Sequence, residues 1–214
     1  MTYATLISDA KTFYTALNAD NTKAWWQEHK ATYDDNLKAP ALALLEDVTS
    51  PLSELADAPI KTKLFRPHRD VRFSKDKTPY NTHLHMMWQT DTDAPQNPVF
   101  FFGVGLEYVT AGVGMMGFDK PVLANWRKMV DLDTDRILRI VGDIEKAGFE
   151  LREPELKRVP APFDKDHEAG RLLRMKGVTA SQELSPNAKL PDALVAIFRE
   201  GWPLNAMLLS VAAA

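Results

Sequence analysis

Thr62-Lys-Leu-Phe-Arg-Pro-His-Arg-Asp-Val-Arg-Phe73 is where the side-chain period of this chain changes from about 3.6 to 2. One parity carries Phe65, Pro67, Arg69, Val71 and Phe73, and the other carries Leu64, Arg66, His68, Asp70 and Arg72. Read as a strand, the segment has one mostly apolar face and one charged face. Upstream the apolar spacing is helical. Leu6, Ile7, Ala10, Phe13 and Leu17 share a face over residues 3–17, and a second helix starts near Thr22 with Trp26, Tyr33 and Leu37 in one stripe. Pro40 breaks or kinks it, residues 42–48 resume the pattern before Pro51, and residues 52–61 read as a loop.

Downstream of 73, Thr78-Pro79 makes a turn and residues 83–90 read as the next strand. Residues 91–98 form a polar loop, and 99–108 with 109–116 read as a strand pair. Helical spacing returns over 120–147 and stops at Gly148. A short strand at 149–152, a proline-spaced segment at 154–162, a helix near 165–175 and an extended stretch follow, then a helix at 190–199 with a tail to 214. Helices, then antiparallel strands, then helices predict an α+β fold. The expected architecture is a single domain over 1–214, a mainly antiparallel sheet with N-terminal, middle and C-terminal helices packed on it.

Composition narrows the function classes. The absence of cysteine excludes disulfides, thiolate nucleophiles and Cys-based metal sites. The N-terminus lacks a basic region followed by an apolar one, and the longest apolar runs, 98–106 and 204–214, are too short to span a bilayer. A soluble, cytoplasmic protein without a membrane partner is the expectation. The formal charge is −3, which argues against general nucleic-acid binding. Residues 61–80 depart from that balance. They hold seven Lys/Arg against two Asp, a local +5, so the remainder sums to −8.

That island is the leading candidate site. Arg66, Arg69 and Arg72, with Lys75 and Lys77 from the adjoining turn, supply guanidinium forks and mobile cations suited to a phosphate or carboxylate. Asp70 and Asp76 would hold the guanidinium groups in place, and Asp70, Tyr80 and His68 are proton-transfer candidates. In so positive a setting Asp70 stays ionised and is a weak base near neutral pH. The competing reading is an ion-pair lattice, Arg69 with Asp76 and Arg72 with Asp70, fixing a sheet edge. A second cluster joins Lys157 and Arg158 to Asp166, His167, Arg171 and Arg174. Packed beside the first, it would complete a pocket with His167 as general acid or base. The alternative is an exposed helix start capped by Asp164 or Asp166.

Three other patterns carry less. His83-x-His85 puts two imidazoles on one strand face, with His68 or Glu107 as third ligand of a metal, yet two alternating histidines more often mark a polar sheet face. Gly112-Val-Gly114-Met-Met-Gly117 matches a dinucleotide fingerprint in form only, because no βαβ unit follows. Trp25, Trp26, Trp88 and Trp126 fall at core positions. No metal or cofactor is therefore expected.

The run from Arg66 to Tyr80, Arg-x-x-Arg-Asp-x-Arg-Phe-Ser-Lys-Asp-Lys-x-Pro-Tyr, resembles the signature of the bacterial domain-of-unknown-function 2461 family. Asn21-Thr-Lys-Ala-Trp-Trp26 resembles its early Asn-x-x-x-Trp-Phe element. Leu156-Lys-Arg-Val-Pro160 with Phe163-Asp-Lys-Asp-His167 resembles a later Lys-Arg-x-Pro…Phe-Asp…His segment. The resemblance spans about residues 5 to 200 and brings no activity with it. Asn81 stands where the family often has lysine, one cation fewer. From the residues themselves, a site for a small anionic ligand is the leading expectation. A nucleic-acid or acidic-protein module and an architectural charge network stay open beside it.

Overall fold

The computed structural model describes residues 3–184 and 189–214; the last part of the predicted extended stretch, 185–188, lies outside them. The α+β expectation holds. α1 (Leu6–Ala19) buries Leu6, Ala10, Phe13 and Leu17 on one stripe. α2 (Lys23–Tyr33) starts where Thr22 accepts the Trp25 N–H at 3.2 Å, an N-cap that satisfies a first-turn donor. Pro40 does not break the chain. The turn before it, Asp34–Lys38, widens to a π-helix in which the Ala39 N–H reaches back to the Asp34 carbonyl, and α3 (Ala39–Ala56) continues beyond.

Pro51 does not end α3 either, so the predicted loop at 52–61 is helix to residue 56 and strand from residue 60. Leu44, Leu45, Val48 and Leu52 are all buried on one side, and that packing outweighs the hydrogen bond a proline forfeits. Asp57, in the left-handed region at φ 47°, then turns the chain into β1 (Ile60–Leu64).

The strand read over 62–73 is corrected. The ladder with β2 (Leu84–Thr90) pairs Leu64 with Met86, and after the Phe65 N–H bonds to the His85 carbonyl at 2.9 Å it stops. Pro67 has no N–H to extend it. β3 (Val99–Val104), β4 (Val109–Met115), β5 (Glu150–Leu151) and β6 (Val178–Glu183) complete a six-stranded sheet, order β1-β2-β3-β4-β6-β5, antiparallel throughout.

One face of the sheet is sealed by helices. The Trp88 indole donates to the Leu45 carbonyl of α3 at 2.9 Å. Phe198, on α7 (Leu190–Ala213), packs against Trp88 and Phe100 at centroid distances of 5.6 and 5.2 Å. α7 replaces the shorter helix and tail read at 190–214. It runs through Pro203 because Leu204, Leu208 and Val211 keep the apolar stripe on the sheet. Gly201 lets it come close: a Cβ there would stand 2.8 Å from the Val113 methyls. The helix read over 120–147 divides at Asp133 into α4 (Lys120–Leu132) and α5 (Thr134–Lys146), and the one near 165–175 shrinks to α6 (Gly170–Leu173). The opposite sheet face carries half-exposed residues, among them His85, Met87, Phe101 and Ser181. Among the described residues, no helix is long and apolar enough to cross a membrane.

Candidate functional site

Between Phe65 and His83 the chain leaves the sheet and returns, and its two legs meet once. His68 faces Tyr80 in an isolated antiparallel bridge, with Arg69 N–H to the Pro79 carbonyl at 2.9 Å and Asn81 N–H to the Pro67 carbonyl at 2.7 Å. The early family-like element anchors this bridge. The Asn21 side chain donates to the Tyr80 carbonyl at 2.9 Å and accepts the Tyr80 N–H at 3.1 Å. The Tyr80 ring stacks on Trp26, centroids 4.4 Å apart and planes 15° from parallel, with His68 edge-on at 5.0 Å. Tyr80 is 4% exposed, and burial raises the pKa of its phenol. It packs the base of the excursion.

The tip closes on itself. Asp76 accepts the Thr78 N–H at 2.9 Å and pairs with Arg69 at 2.6 Å; the Thr78 N–H and the guanidinium together draw its carboxyl down to about 2. Asp70 takes Arg72 through its Nε and Nη2 donors, at 2.9 and 2.6 Å, and accepts the Arg72 N–H as well, so its pKa also falls. The Lys77 ammonium donates to the Val71 carbonyl at 3.0 Å. Both pairs of the lattice reading are therefore formed, and Asp70 and Asp76 act as turn-holding anions. Phe73 stands 97% exposed at the apex beside the Arg72 guanidinium, with Lys75 also in solvent.

Arg66 is different. Its guanidinium makes no ion pair or hydrogen bond among the described residues, and its one electrostatic mark is to help lower the pKa of Asp70. It projects where two open clefts flank residues 63–68. The first, about 550 Å³, is of mixed character and takes in Lys63, Leu64, Phe65, His68, Asp70 and His83. The second, about 590 Å³, lies between β1 and the α2–π-helix–α3 bend. Trp26, Tyr33, Leu42 and Leu64 give it an apolar floor, and Lys30, Lys38, Lys63 and Arg66 rim it. Lys30 and Lys38 both pair with Asp34, the latter at 3.5 Å, and the Lys30 contact holds the Asp34 carboxyl below its ordinary range. Burial, then the charge of Asp34, pushes the Tyr33 phenol up to about 12. Leu42 is 48% exposed on this wall, an apolar side chain left in water.

The remaining candidates lie elsewhere. His83 and His85 stack face to face at 3.7 Å, an arrangement of rings rather than of converging nitrogens, and no group of three or more metal-ligating side chains occurs among the described residues. Lys157, Arg158 and His167 do not join the island. Their segment leaves β6 after the Arg152 N–H bond to the Thr179 carbonyl and is tied to the end of α6 and to α4, through Leu156 N–H to the Arg174 carbonyl and His167 Nε2 to Asp131 at 3.4 Å. β1 and β6 stand four strand spacings apart, about 19 Å. His167 Nδ1 accepts the Ala169 N–H at 3.0 Å, and Asp164 accepts the Asp166 N–H at 2.9 Å. These are turn contacts ahead of α6, whose N-cap is Ala169 with no side-chain cap, so neither Asp164 nor Asp166 caps a helix.

Lys63, Trp26, Tyr33 and Leu42 were missed as site residues. The signal available was the Trp-Trp pair followed seven residues later by Tyr33, on the helix that Pro40 interrupts. A search of curated proteins found no match. The family model described as a conserved hypothetical protein, DUF2461, matches residues 9–208, nearly the whole chain and both elements that meet at Tyr80. The chain belongs to the DUF2461 family.

Proposed function

We propose that this protein binds a small amphipathic anion, an apolar body carrying a carboxylate or phosphate, in the groove between β1 and the α2–π-helix–α3 bend. The observation that carries this reading is Arg66. It is an arginine without a carboxylate partner at the rim of an apolar-floored groove, while Arg69 and Arg72 beside it each have one. A guanidinium fork there offers bidentate donors to the ligand head, and Trp26, Tyr33 and Leu42 meet its body. The π-helix supports the same assignment, since such widened turns gather at functional sites and this one forms a groove wall.

Phenyl phosphate and octanoate are the probes, with inorganic phosphate as the head group alone. At about 100 times its dissociation constant a probe stabilises the fold by about 2.7 kcal/mol, a Tm rise of roughly 5–10 °C for a chain of this size. Arg66→Gln is expected to weaken binding about 10- to 100-fold, and Arg72→Gln to leave it unchanged. No Tm response to either amphipathic probe, or equal losses in the two variants, would overturn the assignment.

A further inference from the structure

The open face of the sheet carries a pattern that shares only Lys63 with the groove. Following the strand registers straight across gives one row of six facing residues: Lys63, Met87, Phe101, Gly112, Ser181 and Glu150. The β1–β3 half of this row is a cation and two large apolar side chains. The β4–β6–β5 half is two small residues and an anion. Lys63 and Glu150 are exposed, and Met87, Phe101 and Ser181 are half-exposed. The neighbouring row repeats only the anionic end, with His85 and the buried Gly103 on one side and Thr110 and the exposed Glu183 on the other. The second neighbouring row runs Lys61, Gln89, Val99, Gly114 and Thr179 toward Arg152. Its two terminal cations each have an acid of their own, Asp91 at 2.8 Å and Glu155 at 3.6 Å.

We propose that this face is the interface of a two-fold homodimer, a second copy packing sheet on sheet. A two-fold axis running along the strands between β3 and β4 exchanges the halves of every row. Phe101 then lies over Gly112 of the partner subunit, Met87 over the partner's Ser181, and Lys63 beside the partner's Glu150. Large side chains meet small ones, the cation meets the anion, and each contact occurs twice. The same operation pairs Val99 with the partner's Gly114. Sheets stacked about 10 Å apart at the usual aligned angle of about 30° accommodate this. With strands about 4.8 Å apart and about 3.4 Å per residue, the six-strand face measures about 29 by 20 Å. Covering it on both copies removes about 1,000 Å² or more, the size at which specific association begins.

Sedimentation velocity of the full chain between about 1 and 100 µM tests this, a range in which an interface of that area has measurable affinity. The expected result is reversible association to twice the 24.0 kDa chain mass. Lys63→Glu alone and Glu150→Lys alone each turn two attractive pairs into repulsive ones and are expected to weaken the dimer about tenfold or more. Combined in one chain, the two changes restore the pairing and recover the affinity to within about threefold. A monomer at the highest concentration, which leaves the face to another occupant, overturns the proposal. So does a dimer indifferent to the single reversals, or a double variant no better than either one. Glu150 lies off the groove, so a monomer that still binds phenyl phosphate through Arg66 overturns the dimer alone.

Discussion

Trp26→Ala is expected to cost about 3–5 kcal/mol of stability, the range for truncating a buried large aromatic. For a chain of this length, Tm should fall by roughly 10 °C. The reason lies in what meets at that ring. Trp26 is 2% exposed and contacts Phe13 of α1 edge-on at 6.0 Å, Tyr33 at 5.0 Å, His68 at 5.8 Å and Tyr80 at 4.4 Å. It therefore joins two helices to both legs of the excursion. Its loss leaves a cavity that those neighbours, each fixed by its own backbone, fill only in part. A second readout separates this role from general core packing. Trypsin should cut at Arg72, Lys75 and Lys77 much faster in Trp26→Ala, because Tyr80 has lost the ring that seats it. Trp88→Phe, in the core under α3, should lower stability without that change in cleavage. Equal tip cleavage in the two variants would sink the anchoring role.

Asn21 shows why the fold was more legible than the site. The helices, strands and antiparallel order follow from periodicity, and each error in them has a local cause. Pro40 and Pro51 look like helix ends, yet Leu37, Leu44, Leu45, Val48 and Leu52 are buried on one continuous face, so packing carried the helix through both. The alternation over 62–73 looks like a strand, but the pairing partner runs out at Pro67 and the alternating residues form turns instead. Asn21 makes two hydrogen bonds to the Tyr80 backbone, 59 residues away. No window of sequence contains both groups, and only the bridging of two distant motifs makes either of them intelligible.

The charge island illustrates the same limit. A count of seven cations to two acids marks a place but not a partition. Geometry divides it: Asp76 and Asp70 each neutralise one arginine two or more residues away, carbonyls hold Lys77, and Arg66 stands apart at the groove. The Asx-type contacts that do this, Asp70 to the Arg72 N–H and Asp76 to the Thr78 N–H, have a two-residue spacing that is visible in the sequence. What is not visible is that Arg66 precedes the first of these turns and so escapes them. The ion pairs and turn contacts thus account for residues 69–78 and leave Arg66 to the groove proposed above.

Acid should weaken this protein before its carboxylates titrate, and His85 is the reason. Its imidazole lies at the sheet surface between Phe101, edge-on at 5.0 Å, and His83, stacked at 3.7 Å, and it shares a 2.6 Å hydrogen bond with the Tyr108 hydroxyl. Burial, and then the like charge His83 would carry, lower its pKa to about 4 from an ordinary 6.5. His83 shifts in the same direction through burial. Tyr108 keeps its proton because burial raises its pKa. Between about pH 6.5 and 4 the unfolded chain therefore binds a proton that the native state refuses. Stability rises with pH across that window, is complete above about 6.5, and is lost toward 4. The full shift corresponds to about 3 kcal/mol, and screening of a ring partly open to water reduces this to about 1–2 kcal/mol. Urea unfolding at pH 7 and pH 4.5, at one protein concentration, measures the slope. In His85→Gln, whose amide still reaches Tyr108 but cannot take up the proton, the loss between the two pH values should shrink by that amount. The carboxylates contribute equally to both proteins and cancel in the comparison. An unchanged slope in the variant would place the acid sensitivity on other groups and remove His85 from this role.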